Sequence, residues 1–113
     1  MPYKLFLDDI RNITDVYNNA DNFVVVRNYN DFVRYIKNQG LPCFISFDND
    51  LGEDENKNIL PDGYACAKWL VYESDIDLRN LQFRVHSANP IARVQIQSLL
   101  NNYINFLKTE KFL

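Results

Sequence analysis

Three apolar runs and one alternating stretch set the rhythm of the chain. Residues 3–7, 23–29 and 43–47 are nearly continuous in apolar side chains, the pattern of strands covered on both faces. Residues 81–87 alternate instead. Phe83 and Val85 fall on one side and Arg84 and His86 on the other, as in an edge strand with one face partly wet. Helical periodicities lie between and after these segments. Asn30 is placed to cap a helix carrying Phe32, Val33 and Ile36, which Gly40 closes. Asp62 caps a second, with Tyr64, Ala67, Leu70 and Val71 at helical spacing. Asn89-Pro90 opens a third, an N-cap followed by proline at the first helical position, with Ile96, Leu99, Leu100, Tyr103 and Leu107 as its apolar stripe. Residues 10–22 are polar and Asn-rich and predict a loop or one poor helical turn. Residues 51–61 predict a second loop.

Strands alternating with helices predict an α/β fold with a parallel sheet covered by helices on both faces, a three-layer sandwich. The flavodoxin-like strand order two-one-three-four is expected, truncated, with the last strand at an edge and no fifth strand. The 113 residues make one domain over residues 1–113.

Composition narrows the function classes. The chain is 47% hydrophobic and 24% charged, an ordinary balance for a folded domain. Its longest apolar runs are about four residues, far below the ~20 of a membrane span. The N-terminus turns acidic at once and lacks a signal peptide's apolar stretch, so a cytoplasmic location is expected. Net charge is −3, which speaks against binding long nucleic acid by charge and leaves a small phosphorylated ligand open. Cys43 and Cys66 stand apart and are expected as buried, reduced thiols. The aromatic residues are expected in the core rather than on a base-stacking platform. Phosphate-binding glycine loops and zinc spacings are absent from the sequence. A calcium loop starting at Asp48 would put Glu53 at the required glycine and Ile59 at the final glutamate, so that reading fails. His86 and Ser87 are strand neighbours pointing to opposite faces, which excludes a Ser–His hydrolase pair between them.

The chemistry collects at strand ends, where open α/β sheets bind ligands. Asp8 and Asp9 follow strand one, Asp48 and Asp50 follow strand three, and His86, Ser87 and Asn89 follow strand four. In the expected order strands one and three are neighbours, so the four carboxylates converge. Crowded carboxylates call for a cation, and hard oxygen donors suit Mg²⁺ or Mn²⁺. Plainer readings stand beside these. Asp8-Asp9 and Asp50-Leu51-Gly52 also suit turns, Asn89 suits a helix cap, and Arg93 suits either solvent or a phosphate fork. Arg11 could neutralise the acids or bind substrate.

The segment K-L-F-L-D-D-I-R over residues 4–11 resembles the acidic first strand of response-regulator receiver domains. Asp48 stands where a receiver's phospho-accepting aspartate would be, and Ser87 where its Ser/Thr would be. A closer resemblance is to the cyclic-phosphate-processing receiver-like family of bacteria and phages. Its patterns are F-L-D-D-x-R, S-x-D-H-D-L-G, D-G-x-x-x-A-x-W-L and V-H-S-A-N-P, matched here at residues 6–11, 46–52, 62–70 and 85–90. Asn49 stands where the family carries His, and the receiver's fifth-strand Lys is missing, so ordinary phosphorelay signalling is not implied. The resemblance implies a metal-assisted phosphoesterase acting on cyclic or terminal phosphates of nucleotides or RNA ends. Asp8, Asp9 and Asp48 would then hold Mg²⁺ or Mn²⁺, and His86 would protonate the leaving oxygen. Arg11, Asp50, Ser87, Asn89 and Arg93 would contact substrate. Asp48 could instead serve as nucleophile. The alternative, which the missing Lys and Asn49 favour, is a non-enzymatic receiver-like module binding a protein partner or a phosphorylated small ligand.

Overall fold

Each polar break in the sequence ends a strand or opens a helix. The computed structural model describes residues 2–19 and 21–110. Strands β1 (Lys4–Leu7), β2 (Phe23–Val26), β3 (Phe44–Phe47) and β4 (Gln82–Val85) alternate with helices α1 (Tyr29–Gln39), α2 (Gly63–Tyr72) and α3 (Pro90–Glu110). A single 3₁₀ turn, Ile13–Asp15, interrupts the loop between β1 and β2. The strands form one sheet in the order β2-β1-β3-β4, and every pairing is parallel. This is a receiver-like, flavodoxin-like α/β arrangement with β4 at an edge, as the patterning predicts.

The caps explain where helices begin. Asp62 accepts from the Ala65 N–H. Asn89 accepts from the N–H groups of Ile91 and Ala92. The first helix starts earlier than expected. Its cap is Asn28, whose side chain accepts from the Asp31 N–H at 2.8 Å, and Asn30 lies within the first turn. Accordingly β2 stops at Val26 rather than running to residue 29.

One face of the sheet makes the core. Leu5, Leu7, Val26, Ile45, Phe47 and Val85 pack with Phe32 and Ile36 of α1, Leu70 of α2, and Ile96 and Leu100 of α3. All three helices therefore lie on the same side. Chain handedness gives the reason. The step from β1 to β2 crosses the sheet one way, and those from β2 to β3 and β3 to β4 cross the other way. Right-handed connections then place α1 and α2 on one face and the helix-poor loop after β1 on the opposite one. The expected third layer is reduced to that loop.

The second face carries Lys4, Phe6, Phe23, Val25, Phe44, Ser46, Gln82 and Arg84 by register. No helix packs on it among the described residues. Tyr17 lies across it, stacked on Phe23 at 5.2 Å and edge-on to Phe6 and Phe44. Phe6 is fully buried, but Phe23 and Phe44 are only half-buried. The expectation that the aromatics are core residues thus holds for Phe32 and Phe47 and is corrected for these two. Cys66 is buried, whereas Cys43 is exposed and departs from expectation because it precedes β3 at the rim of this open face. Among the described residues no helix is long and apolar enough to cross a membrane.

Candidate functional site

The strands end in register. Leu7 pairs with Phe47, and Phe47 with Val85. One step further, Asp8, Asp48 and His86 stand side by side, held by Asp48 N–H to Leu7 O at 2.9 Å and His86 N–H to Phe47 O at 2.8 Å. A donor atom from each lies within 4.8 Å of the others. Parallel register thus turns three residues scattered over the sequence into one cluster.

The side chain of His86 is nearly closed off from solvent, at 2% exposed, and its ring lies flat on Phe6 at 4.8 Å. Nε2 sits 2.9 Å from Asp8 Oδ2, and Nδ1 sits 2.7 Å from Ser46 Oγ. Tyr17 OH lies 2.8 Å beyond, on the same Ser46 oxygen. Burial lowers the His86 pKa, against the upward pull of Asp8, so the ring is neutral at neutral pH. An ionised Asp8 only accepts, so Nε2 carries the proton and Nδ1 accepts from Ser46. Ser46 in turn accepts from Tyr17. The partly wet strand face expected to carry His86 is therefore corrected for this residue: both ring nitrogens are engaged and the side chain does not line the hollow beside it.

Asp8 is fully buried. Burial is the largest single influence on its pKa and works upward. The N–H groups of Arg11 and Ile10, at 2.9 and 3.0 Å, together with His86, outweigh it and leave the pKa low. Asp48 differs. Burial, then the neighbouring Asp8, push its pKa up to about 6, against the Asn49 N–H and Arg11. Two carboxylates at adjacent strand ends thus separate into one firmly ionised and one reluctant to ionise.

A hollow of about 280 Å³ opens over this pair, lined by Asp8, Asp9, Arg11, Asp48, Asp50, Ser87 and Asn89 among others. The structure therefore brings most of the expected site residues to one place. Arg93 is the exception in the substrate set: it is exposed one turn into α3 and does not line the hollow. Asn89 uses its side-chain oxygen to cap α3. Ser87 is buried and accepts the Asn89 N–H at 3.1 Å. Arg11 reaches back to donate to the His86 carbonyl at 3.2 Å, with the same nitrogen 3.9 Å from Asp8. It brings a cation to the rim of the hollow.

Several supports were not singled out in the sequence. Arg27 donates to the carbonyls of Asp8 and Arg11, at 3.1 and 2.5 Å, and fixes the turn after β1. Asn49 is buried and turned away from the hollow, its side-chain oxygen accepting from the Tyr64 N–H. It ties the end of β3 to the start of α2. Gly63 donates to the Asn49 carbonyl at 2.8 Å, and a Cβ there would stand 1.9 Å from the Asp48 carbonyl oxygen. The Asp-Gly opening of α2 is thus a close backbone contact. Ser46 and Tyr17 complete the list. Serine within an apolar strand is the one signal that pointed to a buried polar partner.

A profile for the cyclic-phosphate processing receiver domain matches residues 3–102. The chain belongs to the cyclic-phosphate processing receiver domain family. No curated protein and no solved structure matches the chain. The matched span holds all four strands, the acidic cluster and the first half of α3. This cyclic-phosphate processing receiver domain has four strands among its described residues, with Asn49 supporting α2 as above.

The donor set also suits a hard cation. Asp8, Asp9 and Asp48 present oxygens at the hollow, and Asp48, its pKa raised by burial first and by Asp8 second, would be relieved by a cation there. The His86 nitrogen nearest the cluster is already committed to Asp8.

Proposed function

We propose that the strand-end hollow is a metal-assisted phosphoesterase site acting on cyclic or terminal phosphates of nucleotides or RNA ends. The observation that carries this reading is the pairing of an ionised Asp8 with a reluctant Asp48 in a hollow that also holds Arg11 and Ser87. Asp8, Asp9 and Asp48 are the residues to hold Mg²⁺ or Mn²⁺, which would supply charge neutralisation and polarisation of a phosphate oxygen. Arg11 orients the anion as a planar fork. Ser87 and the positive end of the α3 dipole face the same space. Asp50, at the exposed rim, excludes ligands with further negative charge. His86 acts here as a positioning residue: its Nε2–H holds Asp8 Oδ2 in place, and the role of general acid expected for it passes to no side chain. Arg93 contributes only long-range positive charge.

One observation favours the second reading, a binding module without turnover. The chain's single histidine does not open to the hollow. The two readings separate in one assay. The protein is incubated with 2′,3′-cyclic nucleotides and phosphate-ended oligonucleotides, with Mg²⁺ or with a chelator. Metal-dependent turnover that Asp48→Asn abolishes is the expected result. Turnover that survives both chelation and Asp48→Asn overturns the site assignment. Ligand binding by the parent without any turnover selects the binding module.

A further inference from the structure

We infer that the open face of the sheet is a binding surface for single-stranded nucleic acid, gripping the flat faces of bases with aromatic rings and the phosphates with flanking cations. The inference stands apart from the strand-end hollow and does not need catalysis there.

Two adjoining hollows carry it. The first, about 650 Å³, lies over the beginnings of β1, β2, β3 and β4 and is lined by Lys4, Tyr17, Phe23, Phe44 and Gln82 among others. The second, about 540 Å³, wraps the β4 edge, shares Phe44 and Gln82, and adds Arg84 and Lys108. Among the described residues no carboxylate lines either one. The chain as a whole has 15 Asp and Glu against 12 Lys and Arg, and its strand-end hollow is acidic. Cations without acids over two joined hollows are therefore a local reversal of sign, which net charge does not reveal.

The rings and cations are already arranged together. Lys4 Nζ stands 5.1 Å from the Phe23 ring centre, and Arg84 Cζ 5.6 Å from that of Tyr17. Phe23 and Phe44 are half-buried on the sheet with no helix over them; Tyr17, itself half-buried, stacks on Phe23 and meets Phe44 edge-on. Single-stranded nucleic acids bind to surfaces of this chemistry, by stacking on aromatic side chains beside a cationic track. The amide side chains of Asn18, Asn80 and Gln82 in the first hollow supply donors and acceptors for base edges. Charge complementarity selects this occupant over a second copy of the chain. Stacking two such faces would set Lys4, Arg84 and Lys108 against their own equivalents.

The test is fluorescence anisotropy of the full chain with labelled single-stranded RNA and DNA, from low to moderate salt. Saturable binding that weakens with salt is expected, and the RNA and DNA arms show whether the sugar is read. Lys4→Gln and Arg84→Gln should each weaken binding several-fold and each lower the salt slope by about 0.7. Phe44→Leu keeps an apolar side chain and should weaken binding roughly ten-fold. Oligonucleotides with and without a terminal phosphate should bind within about two-fold of each other, so failure of the phosphoesterase reading leaves this result untouched. Cys43 is exposed in the first hollow and Cys66 is buried. Bound oligonucleotide should therefore slow alkylation of Cys43. No binding at low salt, equal binding by all the variants, or equal competition by inorganic polyphosphate overturns the inference. So does concentration-dependent dimerisation that Phe44→Leu abolishes, which would assign the face to a second copy.

Discussion

Asp48 carries a charge that its neighbours resist. Its folded pKa, about 6, lies above the ordinary carboxylate value, through burial first and Asp8 second. A group raised in the folded state favours folding while protonated. Its contribution is complete below about pH 4 and is lost as pH rises through about 6. At neutral pH the loss is about 1–2 kcal/mol once screening by water in the hollow is allowed for. Asp48→Asn should therefore raise the melting temperature at pH 7.5 and change it little at pH 4, provided no divalent ion is present. A thermal melt series over that range checks it, and an equal effect at both pH values would show that the charge is not the cause. His86 runs the other way. Its pKa is lowered by burial, so its contribution is present above the ordinary histidine value near 6.5 and fades as pH falls through the lower folded value. His86→Ala would leave Ser46 and Asp8 short of a partner beside a gap under Phe6. We expect a loss of about 2–4 kcal/mol by denaturant unfolding. A loss below about 0.5 kcal/mol would deny the buried network its structural part. The acids Asp8, Asp9, Asp48 and Asp50 were legible as a cluster because strand ends are readable from apolar runs. The burial of His86 was not, because alternation marks its strand as an edge while saying nothing of the loop that folds Tyr17 over Ser46.

Helix starts show where local pattern suffices and where packing decides. Asp62 and Asn89 each stand alone as cap candidates and were legible. Ahead of Phe32 the chain offers both Asn28 and Asn30. Tyr29 packs against the core, which draws it into the helix and gives the cap to Asn28. Two substitutions separate cap from contact. Asn89→Ala removes the acceptor for two N–H groups and should cost about 1 kcal/mol by denaturant unfolding. Gly63→Ala is expected to cost several times more, because its Cβ would meet the Asp48 backbone at 1.9 Å, and rigid backbone has no rotamer with which to yield. Equal costs for the two would mean that α2 shifts freely against β3. That would loosen the argument for a fixed hollow.

The parallel sheet followed from the alternation of elements and its order from the flavodoxin-like expectation, but the number of layers did not. A continuous apolar run such as β2 reads the same whether a helix or only a loop covers its second face. For the assembled hollow the expected outcome is stabilisation by cation. Mg²⁺ or Mn²⁺ binding only the folded state should stabilise it by about 2.7 kcal/mol at a hundred times its dissociation constant, and so raise the melting temperature as its concentration rises. Asp48→Ala should remove the effect. A parent melt indifferent to millimolar divalent ions would leave the acids without a metal. The parallel pairing has a further effect, on time. Leu5 pairs with Ile45, 40 positions later, so the first strand is made long before its central partner. At the ordinary pace of a ribosome the interval is roughly 2–8 s. For that period Leu5, Phe6 and Leu7 stand without the neighbour that will bury them, flanked by Lys4 on one side and Asp8-Asp9 on the other. Charges at both ends of a short apolar strand are what keep such a segment from sticking to another nascent chain. The aspartates that later crowd the hollow thus serve the protein before it has folded.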